Sequence, residues 1–263
     1  MKTVRANGID IRYDVQGRGP WITFAHSLAS DLTMWDDQLA ALSGSFTILR
    51  YDIRGHGGSS VPPGPYRFEH MVGDVLGLLD ALGVERTHFV GLSMGGMIGQ
   101  HLALAAPQRL DRLVLSSTAS GHDNQDAVLK LWEQRIAQVV AGGMSAMVEG
   151  TLGRWFTEPY RLERQATMAR IGALIAATSA EGYAACGRLI PTLNTTPWLG
   201  EIALPTLVLV GEEDPGTVPA MAEAIARGIP GARLEIVPRA SHLLNIEQAE
   251  LFNELLLAFF AAR

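Results

Sequence analysis

The sequence predicts an α/β fold: a mostly parallel, twisted sheet that opens with an antiparallel hairpin, carries helices on both faces and accommodates one helical insertion. Three observations predict it. Two short runs, Thr3 to Ala6 and Ile9 to Val15, flank Asn7-Gly8, a dipeptide that favours a two-residue hairpin because both turn positions need φ > 0. Short apolar runs then alternate with amphipathic stretches along most of the chain, as strand-helix-strand crossovers do. Finally, the connection from Ser116 to Thr206 spans about 90 residues, against roughly 12 to 20 for a single helical crossover.

Strands are expected at Trp21 to Ala25, Phe46 to Tyr51, Thr87 to Gly91, Leu113 to Ser116, Thr206 to Val210 and Leu234 to Val237. Helices are expected near Met34 to Leu42, Phe68 to Leu82, Met94 to Ala106, Pro219 to Arg227 and Glu247 to Ala261. Within the long connection, Gln125 to Val140, Glu158 to Ile175 and Glu181 to Ile190 read as helices, punctuated by Gly142-Gly143, Pro159 and Pro191. The expected organisation is a core built from residues 1–119 and 199–263, with 120–198 inserted as a helical cap over the sheet.

Composition excludes several classes. With 48% hydrophobic and 18% charged residues in 263, the chain buries a sizeable core and is unlike disordered sequences. Its 21 Lys and Arg against 27 Asp and Glu leave a formal charge of -6, so no basic field favours nucleic acid as a partner. The longest apolar run, Leu255 to Ala262, is far shorter than the roughly 18 residues of a membrane span, and none is expected. Met1 to Asp14 alternates polar and apolar residues with no signal-peptide core, which makes the cytoplasm the expected location. The lone Cys186 cannot form an internal disulfide, in keeping with a reducing compartment, and reads as a buried inert thiol.

The chemistry centres on Gly91-Leu92-Ser93-Met94-Gly95, which joins a strand to a helix. A sharp strand-to-helix turn brings backbones too close for side chains at 91 and 95 and leaves Ser93 exposed at the carboxyl edge of the sheet. A serine hydroxyl is a poor nucleophile unaided, so a general base must take its proton and later return it to the leaving group. Behind such an elbow the partners follow in the order Ser, Asp or Glu, His. Asp214, in the turn after Val210, and His242, between Val237 and the last helix, satisfy that order. Glu213 is the reserve acid.

The oxyanion that develops on attack needs fixed donors, expected from the backbone N–H of Met94 and, in the loop after the strand ending at Ala25, of Leu28. His26 and Ser27 read as side chains that brace that loop. Asp52 to Ser59 reads as a structural loop, because His26, Asp52 and His56 offer no converging metal-ligand spacing, and no metal is expected. A dinucleotide site at Gly91 to Gly99 fails because Ser93 occupies the middle glycine of the required pattern. No cofactor is expected, and His70, His88, His101 and His122 read as surface or packing residues.

The insertion holds Trp132, Trp155, Trp198, Met144, Met147 and Met168, which at helical spacing pack first against one another and secondarily offer an apolar wall above Ser93. An arginine facing such a pocket selects a carboxylate. Of Arg135, Arg154 and Arg188, Arg135 is singled out because it follows Trp132 by three residues, which makes the two side chains neighbours on a helix. Trp132, Arg135 and Trp155 are therefore the candidate substrate-binding residues.

Taken together, Ser27-Leu28, Met34-Trp35-Asp36, Arg50-Tyr51-Asp52 with Arg54-Gly55-His56-Gly57, and Val90 to Gly96 resemble the α/β-hydrolases, in particular the 3-oxoadipate enol-lactonases. The likeness continues through Trp132-Glu133-Gln134-Arg135-Ile136, Arg154-Trp155-Phe156-Thr157, Gly211 to Asp214 with Pro219, and His242 to Glu247. It departs from the family at His26-Ser27-Leu28-Ala29, where Asn-Ser-Leu-Gly is usual, and at Cys186 to Asn194. The resemblance implies an α/β-hydrolase fold, Ser93 as nucleophile with Asp214 and His242 as partners, and a small, anionic lactone or ester as substrate. Other chemistries of the fold are a broad esterase, a carbon-carbon bond hydrolase and a perhydrolase, and the fold also hosts slow-turnover receptors.

Overall fold

The computed structural model describes residues 1–261. Ala262 and Arg263, which end the second core segment and include the last residue of the apolar run from Leu255, lie outside the described residues. The chain opens with β1 (Lys2–Ala6) and β2 (Ile9–Gly17), paired antiparallel across Asn7 and Gly8, both at positive φ. It continues through β3 (Trp21–Ala25), α1 (Asp36–Leu42), β4 (Thr47–Tyr51), α2 (Phe68–Ala81), β5 (Thr87–Leu92), α3 (Met94–Ala105) and β6 (Leu110–Ser116). After the insertion come β7 (Thr206–Gly211), α9 (Pro219–Gly228), β8 (Arg233–Val237), α10 (Leu244–Glu247) and α11 (Ala249–Ala261).

Among the described residues, eight strands form one sheet in the order β1-β2-β4-β3-β5-β6-β7-β8. The pairs β1–β2 and β2–β4 are antiparallel, and every later pair is parallel. This is the mostly parallel sheet with an antiparallel opening that the alternating pattern predicts, and it agrees with the architecture that the resemblance implies. From β3 the chain turns back to β4 and then crosses to β5 on the other side of β3. The strand order therefore reverses between β3 and β5, and their following loops diverge, which opens a crevice at their carboxyl ends. The residue pair Ala25 and Gly91 marks the last rung before the crevice.

Between β6 and β7 run α4 (Gln125–Gly142), α5 (Val148–Trp155), α6 (Glu158–Glu163), α7 (Gln165–Ala177) and α8 (Ala180–Leu189). Three helices are expected there from the sequence, and five form among the described residues. The stretch expected from Glu158 to Ile175 breaks at Arg164, whose φ of -111° and ψ of 50° leave the helical region. The sequence reading has no counterpart to α5, in which Val148, Thr151, Leu152 and Trp155 keep helical spacing despite Gly150 and Gly153. The last expected helix, from Glu247, forms as α11 from Ala249, and a separate single turn, α10, precedes it.

Two buried histidines fix the loop that follows β3. His26 Nε2 accepts the N–H of Ile53 at 2.9 Å while its Nδ1 donates to the Ser27 carbonyl at 2.7 Å. His56 Nε2 accepts the N–H of Ala29 at 3.1 Å, and the two rings meet edge to face. Asp52 adds bonds from Leu32 N–H and Gly58 N–H, and it is paired with Arg12. The loop from Asp52 to Ser59 is thus a structural brace for residues 26–32. Its own flank is held by Arg54, which grips Asp74 through two nitrogens at 2.5 Å each.

Burial pushes the His26 imidazole down to about 4 and, with the neighbouring His26 charge, the His56 imidazole down to about 3. Each ring nitrogen that accepts a backbone N–H would, once protonated, face it as a second donor. An unfolded histidine protonates near 6.5, so below that pH the unfolded chain takes up protons that the folded chain refuses. These two rings therefore contribute fully to stability above pH 6.5, and the contribution is lost as pH falls toward 4 for His26 and toward 3 for His56. Each costs up to about 1 kcal/mol per pH unit. Urea unfolding midpoints measured between pH 7 and 5 should fall, and the fall should be shallower in His56→Asn than in the wild type.

Candidate active site

Ser93 lies between β5 and α3 with φ 56° and ψ -112°, a conformation that side-chain-bearing residues adopt rarely and that the surroundings must enforce. Its N–H donates to the Ser116 carbonyl at 2.9 Å, and its own carbonyl accepts from Met97 N–H at 3.0 Å and Thr118 Oγ1 at 2.8 Å. A Cβ on Gly91 would sit 2.1 Å from the Gly95 carbonyl oxygen, and one on Gly95 would sit 2.1 Å from that of Ala25. Both glycines are therefore required by close approach, as the sequence pattern predicts.

The contact at Gly95 also places the start of α3 against the end of β3. Met94 is the first residue of α3, so its N–H has no carbonyl to bond within the helix. Leu28 comes from the braced loop on the other side of the crevice. Leu28 and Ser93, the residue before Met94, line the same cavity, of about 270 Å³.

His242 follows β8, and Asp214 follows β7. His242 Nδ1 stands 2.7 Å from Asp214 Oδ2. Since a carboxylate only accepts, the proton belongs on Nδ1, which leaves Nε2 with a free lone pair. Thr217 Oγ1 donates to the same oxygen at 2.7 Å, while Asp214 Oδ1 accepts the N–H groups of Gly216 and Thr217 at 2.9 and 3.0 Å. Burial raises the Asp214 carboxyl, but the His242 ring and these hydrogen bonds outweigh it and hold the group at about 2. The reserve acid Glu213 is exposed, whereas Asp214 is 2% exposed.

Ser93, Asp214 and His242 share their cavity with Trp132 and Arg135 of α4 and Trp155 of α5. All three substrate-binding candidates thus reach it. The Arg135 guanidinium lies over the Trp132 ring, 4.9 Å from its centroid, as their spacing on one helix predicts. Arg154, passed over in favour of Arg135, lines the cavity too and is held by Thr151 Oγ1 at 3.0 Å. Arg188 lines a different, larger groove with Tyr66, Phe68 and His101. Met144, Met147 and Met168 pack into the core, while Trp198 is exposed. His122, expected as a surface or packing residue, is also in the cavity wall, with Nε2 donating to the Ile190 carbonyl at 3.1 Å.

Burial lowers the Arg135 guanidinium, and burial together with the Arg135 charge lowers that of Arg154. Neither has a carboxylate partner among the described residues. The cavity that Ser93 lines thus carries two guanidiniums with no carboxylate partner among the described residues. Sequence reasoning also missed the link between the inserted helices and the His242 loop. Glu247 accepts Ser241 N–H at 2.8 Å and Thr157 N–H at 3.0 Å, and it is also bonded to the Thr157 hydroxyl. Ser241 Oγ donates to the Arg154 carbonyl at 2.9 Å, and Leu243 N–H to that of Trp155 at 3.1 Å. Among the described residues, no group of three or more His, Cys, Asp or Glu side chains could hold a metal ion, and no helix is long and apolar enough to cross a membrane.

Comparison with known proteins gives a concordant picture. The model of the family described by the alpha/beta hydrolase fold matches residues 20–249. The chain is 34% identical to 3-oxoadipate enol-lactonase 2 of Acinetobacter baylyi, over 95% of its own length and 93% of that protein's. It superposes on an enol-lactonase from Burkholderia xenovorans with a TM-score of 0.94 and 38% identity, covering 99% of this chain and 100% of that one. A thermophilic esterase from Thermogutta terrifontis, solved with malate bound, gives 0.93 and 29% identity, with 99% and 98% covered.

The geometry distinguishes the two acids. Asp214→Asn should leave the fold intact but favour the tautomer with the proton on Nε2, lowering kcat by about 10⁴-fold by analogy with other hydrolases of this kind. Glu213→Gln should change kcat by less than about threefold. Steady-state kinetics of both variants on one ester, with circular dichroism as the folding control, checks the assignment.

Proposed function

Because the chain belongs to the α/β-hydrolase family, we propose that it is a serine hydrolase that opens a small anionic lactone or ester through an acyl-enzyme, an activity of the 3-oxoadipate enol-lactonase kind. The observation that carries this reading is the shared cavity, which Ser93 lines together with two guanidiniums without carboxylate partners. A buried, unpaired cation favours a ligand that brings the missing negative charge. The similarity to two enol-lactonases supports the same substrate class, and that to an esterase solved with malate supports a site for small carboxylates.

In the proposed reaction, Ser93 Oγ attacks the carbonyl carbon as His242 Nε2 takes its proton. Asp214 holds the ring in that tautomer and stabilises the imidazolium as it forms. The N–H groups of Leu28 and Met94 receive the developing oxyanion. Collapse breaks the ring carbon-oxygen bond, and the leaving oxygen takes the proton from Nε2. Water then attacks the acyl-serine with His242 as base, and Ser93 Oγ departs with the proton returned to it. An enol leaving group tautomerises to a ketone, which cannot close the ring again, so hydrolysis runs forward.

Residues 120–198 act in this reading as a cap that supplies substrate contacts, with Arg135 binding the remote carboxylate while the reacting carbonyl sits at Ser93. A cytoplasmic setting accords with the lone, buried Cys186.

Two measurements test the proposal. A fluorophosphonate probe should label the wild type once, at Ser93, and should not label Ser93→Ala. For Arg135→Met, a contact made equally in ground and transition states predicts a KM effect with little change in kcat. A hydrogen bond to a charged group is worth about 1.5 to 3 kcal/mol, so KM for an anionic lactone should rise roughly 10- to 150-fold. A neutral ester of similar size should show a far smaller rise, and equal losses on both substrates would refute an anion-binding role.

A further inference from the structure

Tyr183, on α8, lines the cavity opposite Ser93 and is 4% exposed. Its ring is tilted against Trp132, with centroids 6.3 Å apart, and Arg135 lies over the same indole. The indole is therefore a plate that registers a guanidinium and a phenol together. Arg154 enters the same space from α5, its guanidinium held by Thr151. Among the described residues, the Tyr183 hydroxyl has no hydrogen-bond partner. The hydroxyl oxygen is not sealed in protein, as that of Tyr51 is, but opens to the cavity, where a ligand can accept from it.

We propose that Tyr183 is the third arm of a carboxylate-binding site, a neutral donor that binds the substrate's remote carboxylate together with Arg135 and Arg154. The inference rests on the anionic-substrate reading given above. A carboxylate offers about four lone-pair sites, and a single bidentate guanidinium fills two of them. A second guanidinium and a hydroxyl match the remainder. Burial raises the Tyr183 phenol above its ordinary value while the two guanidiniums pull it down. The net result is a group that stays protonated at neutral pH and donates.

Charge repulsion explains why the third donor is neutral. Arg135 already disfavours the charge on Arg154, and a third cation would add to that repulsion whenever the site is empty. A phenol adds a hydrogen bond without a charge. It also sharpens selection, because a substrate lacking the carboxylate leaves the hydroxyl and both guanidiniums unpaired in a buried site.

The test compares mono-p-nitrophenyl glutarate, which is anionic, with p-nitrophenyl valerate, which is neutral and has the same acyl chain length. The readout is the ratio of their KM values for wild type, Tyr183→Phe, Arg135→Met and Arg154→Met. In Tyr183→Phe this ratio should rise about 10-fold or more, with kcat for the glutarate ester within about twofold of wild type. An unchanged ratio, whether because both KM values rise together or because neither moves, overturns the proposal. If the arginine variants raise the ratio and Tyr183→Phe does not, the anionic-substrate reading survives and the assignment of Tyr183 falls. If none of the three raises it, both fall.

Discussion

The 2.1 Å that would separate a Cβ at position 95 from the Ala25 carbonyl expresses the constraint on which the site depends. The turn after β5 must pass so close to β3 that only a glycine fits. Given that approach, Ser93 is held at positive φ at the mouth of the crevice, and the start of α3 packs against the end of β3. The order β4-β3-β5 supplies the opening, and the glycines let the backbone fill it.

Rigidity behind the opening comes from polar groups that are buried but satisfied. His26 and His56 accept backbone N–H groups as neutral rings, and Asp52 collects bonds from two more segments. The front of the site follows the opposite logic. Asp214 is saturated with donors, while among the described residues Arg135 and Arg154 have no carboxylate partner and the Tyr183 hydroxyl has no acceptor. A loop whose buried rings and carboxylate are matched holds its shape, and a wall whose charges lack counter-charges holds affinity in reserve for a ligand.

Local features of the sequence carried the fold. Asn7-Gly8 marked the hairpin, Gly91 and Gly95 marked the elbow, and the gap after Ser116 marked the insertion, because each depends on backbone constraints among near neighbours. The order of Ser93, Asp214 and His242 was legible for the same reason, since each follows a strand. Arg135 was found through Trp132, one helical turn away. What escaped depends on contacts between distant segments. Thr157 meets Glu247 across 90 positions, and Tyr183 of α8 meets Trp132 of α4 across about 50. No periodicity encodes such meetings, and only the folded chain brings those partners together.

The bonds that tie Arg154, Trp155 and Thr157 to Ser241, Leu243 and Glu247 have an evolutionary corollary. The inserted segment that lines the cavity and the loop that holds His242 share one hydrogen-bonded seam, so they cannot drift independently. Exchanging residues 120–198 with those of a relative would transplant half of that seam and leave the other half facing strangers. Selection for a new substrate at Arg154 or Trp155 is therefore read out as altered turnover as well as altered affinity. Lineages of this architecture should diversify most freely at cavity-facing positions outside the seam, such as Val128 and Leu131 of α4.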